Sequence, residues 1–131
     1  MGESYFVEVC KNILAADRAI RVVAIGGEDG GILGLKVRED LATTILPRYN
    51  EILEKFGETW ARVIWGIVDE IGKYMGKAGR IIVYHERANW VTLKANGKIV
   101  AFSVEKEASP EILATKVEEI VKRSFKSEKT F

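Results

Sequence analysis

The sequence predicts a single α+β domain over residues 1–131, an antiparallel sheet of five strands with helices on both faces. Two connections indicate hairpins: Gly27–Gly31, which contains Asp29-Gly30, and Asn96-Gly97. Asp-Gly and Asn-Gly between apolar segments are typical of tight turns joining neighbouring antiparallel strands. Apolar residues with helical spacing occupy the remaining long segments. The predicted order is therefore α-β-β-α-(α)-β-β-β-α.

The first third of the chain predicts one helix and one hairpin. Residues 4–16 form an amphipathic helix with Ser4 as its N-cap, and its apolar residues are Phe6, Val9, Cys10, Ile13 and Leu14. Cys10 lies on that apolar face, so we expect it to be buried and structural. Residues 20–26 and 32–38 are the two strands of the hairpin.

Residues 40–75 are predicted to be helical but divided. Pro47 fits the first turn of a helix better than its interior, where it removes a hydrogen bond. Gly57 is typical of a helix end. We therefore predict a helix near 47–56 and a longer one near 58–75. The longer one carries an apolar stripe of Trp60, Val63, Ile64, Ile67, Val68, Ile71, Tyr74 and Met75.

The last part of the chain predicts three strands and a helix. The strands are residues 80–85, 90–95 and 98–105. Ser109 is the predicted cap of the last helix and Pro110 its first residue. The apolar face of that helix comprises Ile112, Leu113, Val117, Ile120, Val121 and Phe125.

The sequence offers no recognisable catalytic, cofactor or metal site. It contains one histidine and one cysteine, far apart, so a zinc site is not expected. His85 has no nucleophile partner in a recognisable triad and is interpreted as a polar strand residue. The glycines at 26–34 precede a strand rather than a helix and lack the Gly-Lys-Ser/Thr ending, so they do not form a phosphate loop. We therefore predict that the chain is not an enzyme.

Charge and hydropathy exclude two other classes of function. The 20 basic and 19 acidic residues nearly balance, which argues against nucleic-acid binding. No apolar segment approaches the roughly 20 residues of a membrane span. A single cysteine suits a reducing compartment, and we expect a cytoplasmic protein. The absence of glutamine and the many charged residues are typical of a thermophile. Arg21 could bind an anion or pair with Glu39 or Asp40, and we favour the ion pair.

Trp65 falls away from the centre of the predicted stripe. An exposed tryptophan marks an interaction surface, where this residue type is enriched. A broad stripe could equally cover Trp65 within one subunit. The sequence leaves both interpretations open.

The order of elements and the two hairpins resemble roadblock/LC7 and longin domains, which share a profilin-like layout. The segment from Ile13 to Leu41 and the sequence RIIVYHE (80–86) are similar to small archaeal proteins of unassigned function. The resemblance implies a homodimer formed through the central helix and adjacent strand, and a platform for small GTPases or other protein partners. It implies an interface at Trp65, Ile64, Val68, Ile82 and Tyr84. The extra helical length in 40–75 departs from ordinary roadblock domains.

Two hypotheses follow for function. The first is a non-catalytic adaptor that self-associates and binds a partner protein, without cofactors. The alternative is a PAS-like sensor that holds an apolar small molecule between the sheet and the 47–75 helices.

Overall fold

The structure is a computed structural model that describes the backbone of residues 2–129 and the side chains of residues 5–43 and 47–125. Its regular elements are α1 (Gly2–Ala16), β1 (Ile20–Gly26), β2 (Ile32–Val37), α2 (Ala42–Thr59), α3 (Trp65–Met75), β3 (Arg80–Tyr84), β4 (Ala88–Ala95), β5 (Lys98–Glu105) and α4 (Pro110–Lys129). A 3-10 turn (Glu39–Leu41) precedes α2, and a π-helical turn (Trp60–Ile64) joins α2 to α3. The observed order confirms the predicted α+β fold.

The five strands form one antiparallel sheet in the order β2-β1-β5-β4-β3, so β2 and β3 are its edges. Both predicted hairpin turns are present. Asn96 and Gly97 have φ of 49° and 74°, the positive pair that a type I′ turn requires. Gly30 has φ of 87° in the first turn, a conformation that glycine adopts without steric cost.

One face of the sheet holds the main core, beneath α1 and α4. Its largest fully buried members are Ile13, Ile20, Val23, Ile25, Val91, Leu93, Val100, Phe102, Val104 and Phe125. Cys10 is fully buried there, as predicted, and burial raises the pKa of its thiol to about 12. The Ser109 hydroxyl accepts a hydrogen bond from the backbone N–H of Ile112 at 3.2 Å, which confirms the predicted cap of α4.

Some local predictions are wrong. The first helix begins at Gly2, so Ser4 lies within it and is not its N-cap; the Ser4 side chain is outside the described residues. Pro47 lies inside α2, where its missing N–H removes one hydrogen bond near the start of a long helix. β3 ends at Tyr84, which places His85 just beyond the strand.

Gly57 does not end a helix, because α2 continues through it to Thr59. Its role is a close approach between two backbones. A Cβ on Gly57 would lie 2.7 Å from the carbonyl oxygen of Gly30 in the first hairpin turn. Real Cβ atoms do not come so near to a backbone atom, so glycine lets the helix contact the hairpin. The tertiary contact, rather than helix termination, explains this residue.

The π-helical turn changes which side chains of the helix face the sheet. The backbone N–H of Trp65 donates to the carbonyl of Trp60, five residues earlier. In a regular α-helix, residues five apart point about 140° away from each other. The wider π turn brings Trp60 and Trp65 to the same side. Every side chain after the turn is rotated relative to a continuous 3.6-residue pattern.

Candidate functional site

Three tryptophans and one threonine hold the long helix against the second face of the sheet. The hydroxyl of Thr92 on β4 accepts hydrogen bonds from two indoles, Trp65 Nε1 at 3.1 Å and Trp60 Nε1 at 3.4 Å. The rings of Trp60 and Trp90 have centroids 4.7 Å apart. Trp90 Nε1 donates to the hydroxyl of Tyr49 at 3.1 Å. Burial raises the pKa of Tyr49 to about 12, so this hydroxyl stays protonated at neutral pH.

The structure corrects the expectation that Trp65 is an exposed anchor. Trp65 is fully buried within the subunit, because the π turn directs it onto Thr92. Val68, together with Ile81 of β3, packs against the same small cluster. The other interpretation is correct: the subunit itself covers Trp65.

The other predicted interface residues lie in different parts of the subunit. Ile64 is partly buried, and it lines the cavity described below. Ile82 packs against the main core on the opposite face of the sheet. Tyr84 is exposed on the edge strand β3, and its hydroxyl donates to the Glu111 carboxylate. The five residues predicted as one surface are therefore not brought together.

A different apolar surface is exposed on the long helix that runs from Ala42 to Met75. Val63, Ile67, Ile71 and Tyr74 follow one another at steps of four, four and three residues, and we call this set the exposed stripe. Their exposed fractions are 50%, 54%, 49% and 92%. Charged pairs lie beside the stripe on the same helix, Arg62 with Glu58 and Lys73 with Glu70. These residues belong to the apolar stripe predicted from the sequence. The π turn rotates the helix so that their side chains face solvent instead of the sheet.

An apolar cavity lies between α2 and the second face of the sheet, with a volume of about 660 Å³. Small side chains make its floor: Val22, Ala24, Ala101 and Ser103. Larger apolar side chains make its walls: Tyr49, Ile52, Leu53, Phe56, Trp60, Ile64 and Trp90. The pocket that the sensor hypothesis predicted between the sheet and the 47–75 helices is therefore present.

Arg21, a charged residue of the cavity lining, is already paired. Arg21 Nε lies 3.1 Å from a carboxylate oxygen of Glu105, so the predicted partners Glu39 and Asp40 are wrong for Arg21. Asp40 instead pairs with Arg38 at 2.7 Å, and this hydrogen bond holds the pKa of Asp40 below its usual value. The guanidinium of Arg21 in the cavity lining is therefore neutralised within the subunit.

The described residues hold no group of three or more histidine, cysteine, aspartate or glutamate side chains placed to bind a metal ion. His85 lies at the cavity rim, where its backbone N–H donates to Asn89 Oδ1 at 3.2 Å.

Among the helices described, none has the length and apolar character needed to cross a membrane.

Neither a protein-family model nor a curated protein sequence matches the chain, whereas solved structures do. The gliding protein MglB from Thermus thermophilus superposes with a TM-score of 0.70 at 16% identity, over 94% of this chain and 90% of that one. The chain has the roadblock/LC7 fold. A roadblock/LC7 domain from Streptomyces avermitilis superposes with a TM-score of 0.68 at 10% sequence identity, over 89% of this chain and 92% of that one. A structure described as MglB with a tetrameric arrangement superposes with a TM-score of 0.64 at 16% sequence identity, over 94% of this chain and 91% of that one.

The long helix lies beside β3, since Val68 and Ile81 pack against the same cluster around Trp65. The extra helical length predicted in residues 40–75 is one helical run, from Ala42 to Met75, interrupted only by the π turn. In the described part of the chain, β3 pairs with β4 alone, so its outer edge is not covered by another strand.

Proposed function

We propose that this chain is a non-catalytic adaptor that self-associates through the exposed stripe and the open edge of β3, and that the dimer binds a partner protein. The observation that carries the proposal is the exposed stripe. Four large apolar side chains in a row on one helix are unusual for an isolated subunit and typical of an interaction surface. The ion pairs beside the stripe resemble the polar rim of an interface.

The edge strand supports the same surface. Within the described residues, β3 pairs on one side only, and an open edge readily pairs with another strand. Tyr84 is exposed at this edge, whereas Trp65 is buried and lies outside the proposed interface. The related MglB structure described as tetrameric shows that this fold assembles in at least one other protein.

The solution mass tests the proposal. We expect the wild-type protein to elute as a dimer near twice 14.7 kDa in light scattering after gel filtration. Ile67→Glu with Ile71→Glu should give a monomer, because each glutamate would have to be desolvated at the interface. The matched control is Ile112→Glu on α4, an apolar residue that is 69% exposed and outside the stripe. The control should remain a dimer.

Two results would contradict the proposed surface: a monomeric wild-type protein, or a double variant that remains a dimer while circular dichroism shows it folded.

The partner class, a small GTPase, rests on the resemblance to roadblock domains. The same instrument tests it, by mixing the dimer with purified small GTPases loaded with GDP or a non-hydrolysable GTP analogue. A mass equal to dimer plus GTPase supports this class, and no shift for any nucleotide state argues against it.

A further inference from the structure

We propose that the cavity between α2 and the sheet is a binding site for an uncharged, largely apolar small molecule with one hydrogen-bonding group, which contacts the hydroxyl of Ser103. This inference does not depend on the proposed self-association, because the cavity is formed within one subunit.

The size and walls of the cavity suit such a ligand. A volume of about 660 Å³ lies within the range of ordinary small-molecule sites, roughly 300–1,000 Å³. The aromatic side chains Tyr49, Phe56, Trp60 and Trp90 contribute to its walls. Aromatic and aliphatic walls with few polar groups are the usual lining of ligand pockets.

The floor of the cavity is hollow because the sheet carries small side chains there. On β1 and β5, Ala24 is directly opposite Ala101, and Val22 is opposite Ser103. Ala24 and Ala101 both line the cavity, and only 5% and 6% of their surfaces are exposed. Larger side chains at these positions would fill the space between α2 and the sheet to the density of an ordinary protein core. The small side chains therefore preserve a cavity that the packing of the fold does not need.

Ser103 supplies the second, independent observation. The residue is 8% exposed and lines the cavity floor, and its buried Oγ makes no hydrogen bond within the described part of the chain. A buried hydroxyl without a partner costs about 1–3 kcal/mol, and native structures retain few of them. A ligand carbonyl or hydroxyl above the floor would give Ser103 that partner.

Arg21 is a charged residue of the cavity lining, and its guanidinium is already paired with Glu105 at 3.1 Å. A carboxylate or phosphate head group would have to compete with this internal carboxylate for the guanidinium. A neutral molecule with an apolar body meets no such competition, so we infer an uncharged ligand.

Binding of Nile red tests the site, because this dye is uncharged, largely apolar, carries one carbonyl and fluoresces strongly in apolar surroundings. We expect saturable binding of one dye per subunit to the wild-type protein. Ala101→Leu should reduce the affinity by about tenfold or more, because its side chain would occupy the cavity floor and displace the dye. Ala24→Leu serves the same purpose if circular dichroism shows that Ala101→Leu is unfolded. Ser103→Ala should weaken binding by about two- to tenfold, the usual value of one hydrogen bond.

The matched control separates the cavity from the exposed stripe, which could also attract an apolar dye. Ile67→Glu with Ile71→Glu should bind Nile red as the wild-type protein does. The proposal is overturned if the wild type shows no saturable binding, if both filled-floor variants fold and still bind normally, or if the double glutamate variant abolishes binding. Self-association is measured separately by light scattering, so either proposal can fail while the other stands.

Discussion

At the scale of single residues, Thr92 links the long helix to the sheet through its hydroxyl. Its hydroxyl accepts from the indoles of both Trp60 and Trp65, which fixes the helix on the sheet from both sides of the π turn. In the sequence, a threonine on a strand drew no special interpretation. Ser103 is its counterpart on the adjacent strand, buried on the same face but without a partner among the described residues. Two buried hydroxyls on one sheet face therefore have opposite energetic roles.

Replacing Thr92 by valine should destabilise the protein by about 1–3 kcal/mol, because at least one buried indole N–H would lose its acceptor. Ser103→Ala is the matched control, since it removes a buried hydroxyl that has no partner in the described structure. It should stabilise the fold, by up to about 1–3 kcal/mol, because it removes the desolvation cost of that hydroxyl. Urea denaturation followed by circular dichroism measures both. Equal losses in the two variants would show that the Thr92 hydrogen bonds are not important.

At the scale of elements, the long helix is shaped by its contacts with the rest of the chain. Gly57 permits the approach to the first hairpin, and the π turn that follows directs Trp65 inward. Helix propensity alone favours neither feature, since glycine and π turns are unfavourable in a helix interior. The stabilising energy must come from packing against the sheet.

A pair of glycine substitutions tests this account. Alanine normally stabilises a helix interior by up to about 1 kcal/mol relative to glycine. Gly66→Ala should follow that rule, because a Cβ there meets nothing within 4 Å. Gly57→Ala should instead destabilise, because its Cβ would lie 2.7 Å from the Gly30 carbonyl. The free energies of unfolding in urea should therefore change in opposite directions. If Gly57→Ala is the more stable variant, the close contact does not constrain the helix.

At the scale of the whole molecule, the main core and the second face of the sheet differ in packing. The face beneath α1 and α4 is filled by large apolar side chains, whereas the face beneath α2 holds a cavity and a few aromatic contacts. The folded subunit also leaves the exposed stripe in water. A partner that covers this stripe binds the folded state and not the unfolded chain, so it stabilises the fold by mass action.

The melting temperature should therefore depend on protein concentration if the stripe forms a dimer. We expect it to rise by a few degrees between micromolar and hundred-micromolar protein for the wild type and for Ile112→Glu. For Ile67→Glu with Ile71→Glu it should stay constant over the same range, since a monomer has no such linkage. Differential scanning calorimetry at several concentrations makes the comparison. A constant wild-type melting temperature would contradict self-association.

The sequence by itself determined the features that depend on near neighbours in the chain. The turn at Asn96-Gly97, the cap at Ser109 and the apolar face that buries Cys10 follow from backbone preference and spacing, and all were predicted. The order of these elements was enough to indicate the roadblock-like fold. The sensor hypothesis also required an apolar pocket between the sheet and the central helices, where the cavity lies.

The tertiary structure decided which side of the helix faces the protein. A 3.6-residue pattern places Trp65 away from the stripe, but one π turn rotates the helix after it, so Trp65 is buried and Ile67 and Ile71 are exposed. The reason for Gly57 and the pairing of Arg21 with Glu105 also depend on contacts between residues far apart in sequence. Such contacts form only when the chain is folded, because a local pattern carries no information on which distant atoms will meet.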